Sequence, residues 1–122
     1  MARIAIIGGG LMGHGIAQVF ACAGHEVRIT DPSAEARGKI LTRIESNLAE
    51  LRLDRSALER VQVCETIDEA AKNAQFAIEA APESLPLKQD IFATLERAAP
   101  LDAILASNTS VIPSPRSSHR RV

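Results

Sequence analysis

Tryptophan and tyrosine are absent from the 122 residues, and the aromatic side chains are Phe20, Phe76 and Phe92 alone. Unpaired bases stack on such rings, so their scarcity excludes a platform for single-stranded nucleic acid. Charge of one sign is lacking too: 14 Lys and Arg against 15 Asp and Glu leave a net charge of −1. A duplex-binding protein needs a clustered basic face, and this balance supplies none. No apolar run approaches the roughly 20 residues of a membrane-spanning helix. The first such run, residues 4–7, is too short for a signal peptide and flows straight into glycines. Cysteine is sparse, with Cys22 and Cys64 far apart and no Cys-x-x-Cys spacing. Both read as buried free thiols in a reducing compartment, so a cytoplasmic protein is expected. No pair of His, Cys, Asp or Glu residues has convincing metal-ligand spacing, and no metal is expected.

Short apolar runs alternate with longer amphipathic segments. Ile4, Ala5, Ile6 and Ile7 read as a strand apolar on both faces, as a central parallel strand is. A helix is predicted over 11–23, with Ile16, Ala17, Val19 and Phe20 inward and Gly24 as its left-handed stop. Strand 26–30 follows. Ser33 then caps a long helix over 34–53, whose Ile40, Leu41, Ile44, Leu48 and Leu51 recur at three- and four-residue steps. Residues 61–64 read as a third strand, Thr66-Ile67-Asp68-Glu69 as a helix start, and 76–78 as a fourth strand. A helix over 85–98 buries Leu87, Ile91, Phe92 and Leu95, and 103–106 give a fifth strand. This rhythm specifies an α/β fold, a Rossmann-type doubly wound parallel sheet in one domain, with strand order beginning 3-2-1-4-5.

Gly8-Gly9-Gly10-Leu11-Met12-Gly13 fits G-x-G-x-x-G through Gly8, Gly10 and Gly13. The first glycine permits the tight turn off the strand, the second lets a pyrophosphate approach the backbone, and the third brings helix and strand together. Gly15 is expected to extend that close packing. The helix start, at Leu11 and Met12, aims free N–H groups and the positive dipole end at the phosphates. Alone the pattern is weak, but here it follows a strand and opens a helix, the context it requires. Asp31 ends the second strand eighteen positions after Gly13, near the offset of about 20 residues for a ribose-binding acid. Its carboxylate accepts the adenosine ribose hydroxyls and repels a 2′-phosphate, so NAD is the expected cofactor and NADP is disfavoured. The bland alternatives are a ligand-free glycine turn and a turn residue before Pro32.

Residues 4–31 together resemble the opening of the 3-hydroxyacyl-CoA dehydrogenases. Met12-Gly13-x-Gly15-Ile16-Ala17-Gln18 is more telling than the glycine motif. Two later segments support it, Glu79-Ala80-Ala81-Pro82-Glu83-Ser84-Leu85-Pro86-Leu87-Lys88 and Ala106-Ser107-Asn108-Thr109-Ser110. The resemblance implies hydride transfer between the 3-hydroxyl of an acyl-CoA and NAD, as in β-oxidation. It places Glu83, Lys88 and Asn108 beside the cofactor and Ser110, the catalytic candidate, near nicotinamide and substrate. Without it, Glu83 would be a helix-start acid, Lys88 a solvated side chain and the Ser-Asn-Thr-Ser run a polar loop. A relative acting on another 3-hydroxy acid, or a non-catalytic dinucleotide-binding module, are the competing readings.

The resemblance also implies a histidine base supported by a glutamate, a helical substrate domain and a dimer, none of which these residues carry. His14 is expected to face outward, His25 lies in a turn and His119 in the tail, so no general base is expected and the chain alone should be inactive. The resemblance covers residues 1–113, the expected NAD-binding domain, incomplete at its carboxyl-terminal side. Residues 114–122 carry two prolines' worth of breaks with Pro113 and clustered arginines, and are expected to be disordered. A frameshift or truncation is one origin for them, and a basic patch for anionic partners the alternative. An unpaired apolar edge at Ile104 and Leu105 is expected to favour self-association.

Overall fold

The computed structural model describes residues 2–80 and 85–107, without the side chains of residues 11, 85–88 and 107. Five parallel strands make one sheet: β1 (Arg3–Ile7), β2 (Glu26–Thr30), β3 (Val61–Val63), β4 (Phe76–Glu79) and β5 (Ile104–Ser107), in the order β3-β2-β1-β4-β5. The helices between them are α1 (Leu11–Cys22), α2 (Ala34–Glu50), α3 (Ile67–Ala71) and α4 (Leu85–Ala98), with a 3₁₀ helix at Arg55–Arg60. The doubly wound arrangement and the order are those expected. β1 is central because only a strand apolar on both faces can lie between two covered layers. Ile4, Ala5, Ile6 and Ile7 are all buried, and Ile6 pairs in register with Ile29 on one side and Ile78 on the other.

Alternation along β1 splits the core. Ala5 and Ile7 join Ala70, Ala71, Ile91, Leu95 and Leu105 under α3 and α4. Ile4 and Ile6 join Ala17, Ala21, Ile40, Ile44 and Leu48 under α1 and α2. The inward faces are narrower than the periodicity suggested. Val19, Leu41 and Leu51 are exposed, because each helix turns only a stripe of about 100° to the sheet. Leu105 also departs from expectation: β5 is the outer strand among those described, but α4 packs over Leu105 and buries it completely. Ile104 instead lines an apolar groove over β4 and β5 with Phe20, His25, Phe76 and Ile78.

The stops and starts follow local chemistry. Gly24, at φ 94°, ends α1 as expected, its N–H donating to the Ala21 carbonyl and that of His25 to Phe20. Ser33 Oγ accepts the Ala36 N–H at 3.2 Å and Thr66 Oγ1 that of Glu69 at 3.1 Å. Helix α2 ends at Glu50, short of the expected residue 53. The same paired bonds close it, Arg52 N–H to Ala49 and Leu53 N–H to Leu48, with Arg52 at φ 57° where glycine is usual. Cys64 is buried and Cys22 exposed, so one of the two expected buried thiols lies at the surface. Burial, then the neighbouring Glu69, pushes the Cys64 thiol up to about 11.

Candidate functional site

The carboxyl ends of β1, β2 and β4 converge on the amino terminus of α1. The chain leaves β1 through Gly8, whose φ of 119° is a conformation that L side chains rarely adopt. Gly8 N–H still donates to the Thr30 carbonyl at 2.7 Å, so the turn begins while the ladder to β2 is intact. One turn later α1 comes back against that peptide. A Cβ on Gly13 would lie 1.6 Å from the Gly8 carbonyl oxygen, so only hydrogen fits there. Ala80, leaving β4, donates its N–H to the Ile7 carbonyl at 2.8 Å and bounds the other side of the same contact.

Gly10 is the cap residue of α1, extended at φ −72° and ψ −160°, with no side chain to cap the helix and no acidic residue in the first turn. The first N–H groups of a helix have no intrahelical partner. Gly10 itself is exposed, and a Cβ built on it would find nothing within 4 Å among the described residues. Unshielded donors, a positive dipole end and room at the backbone suit an anion such as a pyrophosphate. Gly15 does not extend the close packing as expected; nothing lies within 4 Å of a Cβ there.

Asp31 stands where β2 stops, half-buried at the same edge. Its Oδ2 accepts the Gly9 N–H at 2.8 Å and its Oδ1 the Ser33 N–H at 2.9 Å. Arg37, on α2, donates to the Asp31 main-chain carbonyl at 2.8 Å. Each carboxylate oxygen keeps a second lone pair, enough to accept a diol. A dinucleotide therefore fits the residues present: donors at the glycine turn for its phosphates and an acid at the next strand for a ribose.

Gly8, Gly10, Leu11, Met12, Gly13 and Asp31 are thus brought together. Met12 is exposed beside the turn, and of Leu11 only the backbone is described. Lys88 lies in α4 with its side chain outside the described residues, as Glu83, Asn108 and Ser110 are altogether. Strands β4 and β5 end at Glu79 and Ser107, on the edge that carries the glycine turn. Glu79 is fully buried there. Sequence reasoning missed Gly9, whose N–H ties the turn to Asp31 and whose Cβ would strike Ile40 Cδ1 at 2.6 Å. Three consecutive glycines were the available signal. His14 was misplaced: it is buried, not outward, its Nδ1 2.8 Å from the Gly10 carbonyl oxygen. His25 Nδ1 accepts the Ala2 N–H at 3.0 Å and lies edge-on to Phe20, a structural role. Among the described residues no cluster of three or more His, Cys, Asp or Glu could hold a metal, and no helix is long and apolar enough to cross a membrane.

Residues 3–119 match the family model described as 3-hydroxyacyl-CoA dehydrogenase, NAD binding domain. The L-carnitine dehydrogenase of Streptomyces coelicolor is 36% identical over 115 residues, covering 91% of this chain and 36% of the relative. A probable 3-hydroxybutyryl-CoA dehydrogenase of Bacillus subtilis is 39% identical over 119 residues, covering 91% and 41%. Among solved structures, the (S)-3-hydroxybutyryl-CoA dehydrogenase of Ralstonia eutropha superposes with a TM-score of 0.84 at 30% identity, over 99% of this chain and 46% of that one. The chain spans less than half the length of each of these proteins.

Proposed function

Since the chain belongs to the 3-hydroxyacyl-CoA dehydrogenase family, of which it forms the NAD-binding domain, we propose that it presents NAD to the 3-hydroxyl of an acyl-CoA within a longer enzyme. The observation that carries this reading is the Gly9–Asp31 hydrogen bond beside the unshielded start of α1. Main-chain N–H groups at Gly10, Leu11 and Met12 bind the pyrophosphate, and Asp31 accepts the ribose hydroxyls while repelling a 2′-phosphate. Bound NAD supplies the two-electron acceptor for the hydride that leaves the carbinol carbon. Glu83, Lys88 and Asn108 line the cofactor side of the crevice beyond the strand ends, and Ser110 holds the substrate oxygen. A hydroxyl there orients the substrate without titrating near neutral pH. By the family resemblance, the proton leaving the substrate hydroxyl goes to a histidine base supported by a glutamate, carried on the remainder of the longer enzyme. That portion also completes the substrate cleft and the dimer. Residues 1–113 are the domain proper and the setting is cytoplasmic, while the tail expected over 114–122 lies outside the described residues.

The named activity of the Streptomyces coelicolor relative favours a second reading. Carnitine also carries its hydroxyl at carbon 3 but is a free acid, and the same cofactor half would serve it. A chimera joining residues 1–107 to the remainder of the Bacillus subtilis relative, assayed with NAD, tests the cofactor half in a catalytic setting. Turnover of 3-hydroxybutyryl-CoA supports the dehydrogenase reading. The matching chimera with the remainder of the Streptomyces coelicolor relative, turning over L-carnitine alone, supports the second. NAD uptake with no turnover in either chimera leaves a dinucleotide-binding module and overturns both.

A further inference from the structure

The glycine turn contains no polar side chain from Gly8 to Gly13; the next residue, His14, is the first. The Gly10 carbonyl accepts two hydrogen bonds from that residue, one from the His14 N–H at 3.0 Å and one from its Nδ1 at 2.8 Å. A carbonyl oxygen only accepts, so Nδ1 carries the proton and donates. The ring is 5% exposed and lines a crevice with Arg43, Ser46 and Asn47 of α2. The Nδ1 bond fixes the buried ring in one orientation, and both lone pairs of the Gly10 oxygen are engaged.

A peptide unit is planar, so the Gly10 carbonyl and the Leu11 N–H share one plane and point in opposite directions. Holding the oxygen down the helix axis holds the Leu11 N–H out of the helix end, beside the exposed Gly10. We propose that His14 is a positioning residue for the dinucleotide, its imidazole fixing the Gly10–Leu11 peptide so that the N–H meets the pyrophosphate. The inference rests on the NAD reading above and adds to it a side chain that touches no part of the ligand. No other side chain of the turn can substitute, because Leu11 and Met12 are apolar and the rest are glycines.

Asparagine tests the idea, since its Nδ2 stands the same number of bonds from Cα as imidazole Nδ1 and does not titrate. NAD, ADP-ribose and adenosine are titrated into the wild-type chain, His14→Ala and His14→Asn. The alanine variant should bind NAD and ADP-ribose about fivefold more weakly, the size of one net neutral hydrogen bond. Adenosine, which reaches Asp31 but not the turn, should bind all three proteins alike, and His14→Asn should recover NAD affinity to within about twofold of wild type. An alanine variant equal to wild type, an equal loss for adenosine, or an asparagine variant as weak as alanine overturns the proposal. A long-range ¹⁵N–¹H spectrum of the free wild-type protein should show His14 protonated at Nδ1; the Nε2 tautomer overturns the contact without reference to ligand. Wild-type protein that takes up no NAD overturns the cofactor reading instead, while the tautomer still judges the Gly10 contact.

Discussion

Replacing Asp31 by asparagine keeps the side-chain shape, removes the charge and turns one of the two acceptor oxygens into an NH2 that only donates. The carboxylate spends one lone pair of each oxygen on Gly9 and Ser33, leaving one on each for a ribose diol. Hydrogen bonds to a charged acceptor contribute about 1.5–3 kcal/mol and neutral ones about 0.5–1.5 kcal/mol. With one acceptor oxygen lost as well, NAD binding should weaken by at least about 1 kcal/mol, roughly tenfold or more in Kd. For NADP the sign reverses. Two unit charges at about 4 Å repel by roughly 1–4 kcal/mol near a surface, and that repulsion vanishes with the charge. The ratio of NADP to NAD dissociation constants should fall by at least about tenfold. Asp31→Ala should narrow the ratio as well, with an added stability loss of about 1–3 kcal/mol, because the buried Gly9 N–H loses its acceptor. Calorimetric titration of the three proteins with both cofactors measures this. A ratio unchanged in both variants would refute the assignment of Asp31 to the ribose.

Gly13→Ala puts a methyl group 1.6 Å from the Gly8 oxygen, so α1 must shift; NAD binding should be lost in the same titration, with a marked drop in Tm. Ile44→Ala, at a fully buried site, should cost about 2–5 kcal/mol in urea unfolding, whereas Leu41→Ala, 42% exposed, should cost under about 1 kcal/mol. Arg52→Gly relieves the positive φ of 57° and should raise stability by about 0.5–1 kcal/mol in the same assay. Because the Cys64 thiol is raised from 9.0 to about 11, the folded chain holds that proton where the unfolded chain has released it. Stability should therefore fall as pH rises from about 9 toward 11 in thermal melts, and iodoacetamide at pH 8 should label only the exposed Cys22, as mass spectrometry reads.

The sheet was legible because its signals are local. Four apolar residues running into glycines can only be a central strand, and the alternation of runs sets the winding. Gly24 announces the end of α1, whereas Arg52, holding the same left-handed position after α2, announces nothing, so periodicity alone overruns that helix. The 3₁₀ helix at Arg55–Arg60 escaped notice because six residues carry too little periodicity to register. At the candidate site, the glycine turn and the place of Asp31 beside it could be read because they depend on backbone shape and spacing. His14 could not. Helical position alone suggested solvent, and only the three-dimensional approach of α2, bringing Arg43 and Asn47 beside it, shows why the ring lies inside.

In the proposed cofactor site, the bond from Gly9 to Asp31 ties the turn offered to the phosphates to the acid offered to the sugar. Ordering that site is thus part of folding, and little conformational entropy remains to be lost on association. Dinucleotide and native state should in consequence favour one another by mass action, so the melting temperature should climb with the logarithm of NAD concentration once the site is saturated.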